Sequence, residues 1–267
     1  MIVSDFITQD KIIIQITDTH LMADPNDCFV TINPERSFHA VLQDIQRRYP
    51  QADMILHTGD LAQEACPETY ARYLATMQQL SIAFYQLPGN HDDMRIFPLL
   101  SPHPMPGHID LGIWQIIMLN SPVAGQVDGW IDAQQLLHLQ KLLTTLKHKY
   151  IILACHHHPF DMHSNWIDQH KLKNTAALAQ VMAAHTNIKA LVCGHVHQES
   201  CSIWNKVQFL STPATSVQFK PHQYDFALDL CAPGYRVLRL QHNGQFSSEV
   251  HRLESNEFQP NLEISGY

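Results

Sequence analysis

The sequence predicts an α/β fold. Short β-branched apolar runs alternate with stretches of helical periodicity, and metal-type polar residues cluster just after the apolar runs. Beyond Gly194 the texture changes to short alternating segments with turn signals. No linker, internal repeat or low-complexity segment interrupts the 267 residues. One domain over residues 1–267 is therefore expected, with 254–267 as an aperiodic C-terminal tail lying on the surface or on a partner.

Lys11 to Thr17 (KIIIQIT), bounded by polar residues, reads as a buried strand ending at Asp18. Asn33 followed by Pro34 marks a helix N-terminus, and Phe38, Val41, Leu42, Ile45 and Tyr49 recur at helical spacing before Pro50. Met54 to His57 is the next strand. Pro67 to Leu80 is a helix with Tyr70, Tyr73, Leu74 and Met77 on one face, and Ala83 to Leu87 a third strand, which completes a β-α-β-α-β series. Trp114 to Asn120 reads as a strand, and Asp132 with Gln135 forms a capping-box-like start to a helix carrying Leu136, Leu139, Leu143 and Leu146. Tyr150 to Ala154 is again a buried strand, Thr175 to His185 a helix and Ile188 to Cys193 a strand. Asn205-Lys206 and Asn243-Gly244 mark antiparallel hairpins in the remainder.

The hydrophobic fraction of 45% and charged fraction of 16% are those of a soluble globule, without an apolar run long enough to cross a bilayer. Met1 to Asp10 carries Asp5 and Asp10 and lacks the basic-then-apolar pattern of a secretory signal, so the cytoplasm is the expected location. Six scattered cysteines without a C-x-x-C pair are expected to be reduced thiols. A formal net charge of -8 argues against nucleic acid as a partner, because that binding rests on basic residues neutralising phosphates. Histidine is the anomaly, with 19 residues against 17 for lysine and arginine together. Imidazole is the commonest metal ligand, so the placement of these residues matters more than their number.

That placement is ordered. Asp18 and His20 follow the first strand, Asp60 the second, Asn90 and His91 the third, His156 the Tyr150 strand, and His195 with His197 the Ile188 strand. Loops converge at the carboxyl ends of strands in open α/β sheets, so five strands point Asp, Asn and His donors at one place. Such mixed oxygen and nitrogen donors suit Mn, Fe or Zn. In a two-metal hydrolase the ions lie about 3.5–4 Å apart around a shared bridge, for which Asp60 of T-G-D is the candidate. Gly59 is expected to allow a sharp turn there, with Gly89 and Gly194 in the same relation to Asn90 and His195. Taken singly, D-x-H or G-D is as readily a strand-end turn, and P-G-N-H-D a loop; the ordered set carries the inference. His57, inside a strand, reads as a hydrogen-bonded core residue, and Cys155 and Cys193 as packed thiols. Of His156-His157-His158, only one need be a ligand.

D-x-H, G-D, G-N-H-D, H-H-x-P and G-H-x-H together resemble the calcineurin-like metallophosphoesterases. TDTHL, TGDLAQE, LPGNHD, HHHPF, WIDQH, CGHVHQE, VQFKPH, APGYR and EVHRL extend the resemblance, over nearly the whole chain, to the Icc (CpdA) family of bacterial cyclic-AMP phosphodiesterases. The resemblance implies a metallophosphoesterase fold, two mixed β-sheets packed as a sandwich flanked by α-helices in four layers. It implies one metal on Asp18, His20, Asp60 and His197 and the other on Asp60, Asn90, His156 and His195, the ions being Fe, Mn or Zn. Asn90 and His91 become the catalytic residues, and His20, Asp60, Asn90, His91 and His197 the set facing substrate. Gln63 occupies the place of a carboxylate that, in related phosphatases, orients the catalytic histidine. The implied substrate is a cyclic nucleotide opened to 5′-AMP. Trp166, Asp168 and His170 are candidates to meet the nucleoside, with packing the alternative for Trp166. The alternatives to this activity are a broader phosphodiesterase or phosphatase and a non-catalytic metal-binding scaffold. The last hairpins and the tail are candidates for a homodimer surface.

Overall fold

Each strand of the first β-α-β series is apolar on both faces because it lies between a helix layer and a second sheet. In β1 (Lys11–Ile16), Ile14 and Ile16 face the helices and Ile13 faces the other sheet. The computed structural model describes residues 10–98, 107–264 and 266. Apart from Asp10, the reading of Met1 to Asp10 lies outside those residues.

The helix α1 (Pro34–Arg48) starts where Asn33 accepts a hydrogen bond from the Arg36 amide, with Pro34 in the first turn. It buries Phe38, Val41, Leu42 and Ile45 against the sheet side of β1 and β2 (Met54–His57). Next come α2 (Pro67–Gln78) and β3 (Ala83–Gln86). The strands β4 (Gly107–Leu111) and β5 (Trp114–Met118) form a hairpin. They are followed by α3 (Ala133–Thr145), β6 (Tyr150–Ala154), the one-turn α4 (Asn165–Asp168), α5 (Thr175–Ala183) and β7 (Ile188–Cys193). The antiparallel pair β8 (Ser200–Trp204) and β9 (Val207–Ser211) turns at Asn205-Lys206, both at positive φ as a two-residue hairpin turn requires. Last are the short β10 (Gln218–Phe219) and β11 (Leu228–Asp229), then β12 (Gly234–Leu240) and β13 (Phe246–Arg252).

One five-stranded sheet has the order β13-β12-β1-β2-β3, and one six-stranded sheet the order β4-β5-β6-β7-β9-β8; both are mixed. Ile13, Leu56, Trp114, Ile116, Ile152, Val192 and Leu238 fill the space between them. The helices α1 and α2 cover the outer face of the first sheet, and α3 and α5 that of the second. The result is the expected four-layer α/β sandwich.

The described part of the tail lies on its own chain: Phe258 packs into the cluster of Phe29, Val30 and Phe219, and the Asn261 amide donates to Thr31 Oγ1. The capping expectation at Asp132 is half met. Asp132 accepts from the Gln135 amide, but the Gln135 side chain instead pairs with the backbone of Asn120, fixing the loop after β5.

Candidate metal centre

β1, β2 and β3 of one sheet and β6 and β7 of the other end at the same edge of the sandwich, and backbone hydrogen bonds knit their exit loops together. The Asp18 amide donates to Gly59 O at 3.0 Å, the His20 amide to Asp60 O at 3.0 Å, and the Gly194 amide to His156 O at 3.1 Å. Beneath them, buried Gln15 ties the sheets directly: its amide donates to Thr58 Oγ1 and Cys193 O, and its oxygen accepts from Thr212 Oγ1.

Asp18, His20, Asp60, His195 and His197 all sit at φ values between 48° and 71°. This left-handed region is costly for residues other than glycine and recurs where side chains are aimed at a functional centre. Gly59, at φ 104°, provides the turn before Asp60 as expected. Gly89 and Gly194 have ordinary φ and serve differently. A Cβ on Gly89 would lie 2.1 Å from Asp60 Oδ1, and one on Gly194 would lie 2.0 Å from Thr17 Oγ1 and 2.7 Å from Asp18 Oδ2. These two are glycines so that carboxylates can pass close to the backbone.

All the ligand candidates come together. His197 Nε2 is 3.1 Å from His20 Nε2 and 3.4 Å from Asp18 Oδ1, and His20 Nε2 is 3.8 Å from Asp60 Oδ2. His156 Nε2 is 3.3 Å from Asp60 Oδ2 and 3.2 Å from Asn90 Oδ1. Asp60 thus stands between the two sets, the position a bridge requires. His195 lies beside His156, with ring centroids 5.1 Å apart, and its amide donates to both oxygens of Asp18. His91 donates its amide to Asp60 Oδ1 at 2.8 Å, and its ring stands edge-on to His20 at 5.0 Å.

The protonation pattern tests whether these residues fit metal ions. His197 Nδ1 donates to Val217 O and His156 Nδ1 to Thr58 O, both at 2.8 Å, and His20 Nδ1 donates to Gln63 Oε1 at 2.8 Å. Neutral imidazole carries one N–H, so each Nε2 presents a lone pair. Those lone pairs face one another and the oxygens of Asp18, Asp60 and Asn90, and His195 Nε2 is buried without a hydrogen-bond partner. In their neutral form these buried acceptors converge around Asp60; a proton on His156, raised to about 9 beside that carboxylate, offsets them in the absence of an ion, and a metal ion would take its place. The partners on Nδ1 fix ring orientation as outer partners of metal-ligating histidines do. The residues fit.

The electrostatics agree. Burial would raise Asp60, but the charges of His156 and His91 override it and hold its carboxyl well below the usual range. Burial likewise opposes ionisation of Asp18, and His197 overrides it. Burial pushes His20 down to about 3, whereas at His156 the Asp60 charge overrides burial and raises it to about 9. The centre is a sink for positive charge.

Several neighbours take roles that the sequence conceals. Asp92 is a clamp: it accepts from the amides of Leu61, Ala62 and Gly89 and from the Tyr70 hydroxyl, locking the G-D loop to the G-N-H-D loop. Gln63 bonds to His20, so it orients a ligand candidate rather than His91. Phe29 stacks on His20 at 4.6 Å and Phe219 on His197 at 4.0 Å. Both nitrogens of His157 are engaged, by Ser121 Oγ and Val127 O, and His158 Nε2 faces Asp168. His57 is the buried core residue expected, bonded to Thr19 Oγ1 at 2.6 Å. Trp166 packs on Phe219 and Phe226, and Asp168 accepts from the amides of Met162 and Ser164; His170 joins none of the metal-type clusters found among the described residues.

Residues 12–199 match the family model described as calcineurin-like phosphoesterase. The chain is 39% identical over 259 residues to the 3',5'-cyclic adenosine monophosphate phosphodiesterase CpdA of Haemophilus influenzae, covering 96% of this chain and 94% of that protein. It is 38% identical over 266 residues to CpdA of Escherichia coli K12, covering 96% and 94%. Among solved structures, a dimetal phosphatase from Danio rerio superposes with a TM-score of 0.58 at 14% identity, covering 89% of this chain and 98% of that one. That likeness speaks to the fold alone. With the model spanning most of the chain and relatives of this identity along nearly all of it, the protein belongs to the calcineurin-like phosphoesterase family.

Proposed function

We propose that this protein hydrolyses 3′,5′-cyclic AMP to 5′-AMP with two metal ions, and so lowers the concentration of a second messenger. The observation that carries the reading is near-full-length similarity to proteins named for that reaction, joined to a buried centre of converging acceptors. We assign one ion to Asp18, His20, Asp60 and His197 and the other to Asp60, Asn90, His156 and His195, with Asp60 bridging. Fe, Mn and Zn all suit these donors. When bound, the ions lower the pKa of water so that it can attack phosphorus, and they neutralise charge on the phosphate.

The remaining work falls to the chain. His20 and His197 are held in one tautomer by Gln63 and Val217, and His156 by Thr58, so their lone pairs stay aimed inward. The Asn90 amide donates to a phosphate oxygen, and the His91 imidazolium gives its proton to the departing 3′ oxygen as the P–O3′ bond breaks. The attacking oxygen, whose proton has passed to solvent, enters opposite the breaking P–O3′ bond and stays on phosphorus, leaving 5′-AMP.

A cytoplasmic location is supported by six unpaired cysteines; no helix of the described residues is long and apolar enough to cross a membrane. A single domain is supported by the core shared between the two sheets. The test is hydrolysis of cyclic AMP by metal-stripped protein with Mn, Fe or Zn restored. Metal-dependent release of 5′-AMP, abolished in Asn90→Ala and slowed about 10²–10⁴-fold in His91→Ala, is expected. Cleavage of a generic diester without cyclic AMP turnover would leave the metal centre but remove the second-messenger role.

A further inference from the structure

The loops that carry Asn90 and leave β5 enclose a cleft of about 440 Å³ lined by Asn90, His91, Met94, Arg95, Pro122, Val123 and Gly125. The cleft opens directly from the metal centre, through Asn90 and His91. Two other cavities, one along Phe160, Leu178 and Trp204 and one along His163, Glu199 and His222, share none of the ligand candidates. Its size lies within the range of small-molecule pockets. Its jaws are apolar although they face solvent: Met94 is 41% exposed and Val123 38% exposed. Apolar side chains left open on both walls of a cleft beside the metal centre offer a surface that a flat, weakly polar group can cover.

Both jaws are fixed from below. On one side Asp92 receives the Gly89 amide, and the Asp93 amide donates to Tyr70 Oη, so Met94 leaves a pinned turn. On the other, His157 exchanges hydrogen bonds with Ser121 and donates Nε2–H to Val127 O, spanning the loop that carries Val123. The Trp130 amide closes that loop on Ser121 O. A Cβ on Gly129 would lie 2.4 Å from the His157 ring, so the loop rests directly on it. The histidine next to a ligand candidate therefore serves as a positioning residue for the cleft wall, and the pocket is formed in advance of ligand.

The geometry points to this cleft as the subsite for the purine base of the substrate, with Met94 and Val123 as its apolar jaws and His157 holding the second jaw in place. The inference rests on the cyclic-nucleotide reading above. Its test compares cyclic AMP with a baseless substrate, methyl ribofuranoside 3′,5′-cyclic phosphate, in the Mn-loaded enzyme. The Met94→Ala/Val123→Ala enzyme should lose about tenfold or more in kcat/KM for cyclic AMP, mainly through KM, and stay within about twofold on the baseless substrate. Equal losses on both, or no loss on cyclic AMP, would overturn the assignment. A wild-type enzyme that turned over neither would instead remove the cyclic-nucleotide reading itself, and the subsite with it. A second readout is independent of turnover. In protein carrying ¹³C-methyl methionine, the Met94 signal, identified by its disappearance in Met94→Ala, should shift with 5′-AMP and not with ribose 5-phosphate; an unmoved signal would count against the subsite.

Discussion

Gly89→Ala is the smallest change that tests the centre. The added methyl would lie 2.1 Å from Asp60 Oδ1 and 2.4 Å from the Asp60 amide nitrogen, and the second of these is backbone that cannot swing aside. Reaching an ordinary C···O contact requires the carboxylate to withdraw by about 1.2 Å. Metal–ligand distances tolerate only about 0.2 Å, and a misplacement of about 1 Å at a reacting centre costs on the order of 10²-fold in rate. Withdrawal also breaks the 2.8 Å hydrogen bond from the His91 amide, so ligand and catalytic residue move together. Overpacking costs a further 1–3 kcal/mol or so of stability. Mn titration calorimetry, metal content after gel filtration and cyclic AMP turnover should all fall, turnover by about 10²-fold or more. A variant that kept two ions at wild-type affinity and wild-type kcat would refute Asp60 as the bridge.

Other perturbations give separate readings. Replacing Gln15 by Leu strips the partners of Thr58, Cys193 and Thr212 between the sheets and should cost about 2–5 kcal/mol in urea unfolding, at a site that touches no substrate. Burial depresses His57 to about 3, below its unfolded value near 6.5, so the native state holds fewer protons than the unfolded one between those limits. Stability therefore falls as pH drops through that window, by about 1.4 kcal/mol per pH unit from this residue. Metal-free His57→Gln should show a slope shallower by that amount than metal-free wild type. Chelation of the metal-loaded enzyme should lower Tm by about 5–15 °C, since an ion at a hundredfold excess over its Kd adds about 2.7 kcal/mol. An unchanged Tm would speak against tight metal binding by the folded state.

The strand ends were legible because each ligand candidate follows an apolar run that could only be a buried strand, and because their order along the chain is also their order around the site. The division into two sheets was not legible from periodicity. β1 and β6 are apolar on both faces, whether the second face meets a helix or another sheet, and the family resemblance supplied the distinction. β4 went unread because Gly107–Leu111 alternates with polar residues and becomes a strand only by pairing with β5. The hydrogen-bond acceptors of Thr58 and Val217 are backbone carbonyls, which no residue type announces. That Gln63 reaches His20 is not legible either, because sequence neighbourhood does not tell which ring a flexible amide reaches.

The backing of the centre is assembled from distant parts of the chain. β1, which delivers Asp18 and His20, is paired on one side with β12, and the ring that stacks on His197 belongs to Phe219, which shares a cluster with Phe258. A nascent chain that has emerged only as far as His197 holds every ligand candidate but lacks Val217 and Phe219, which hold His197, and β12, which flanks β1. The aim of His197 therefore waits on residues that follow it in the chain, and the centre is completed only when the C-terminal strands have joined the first sheet.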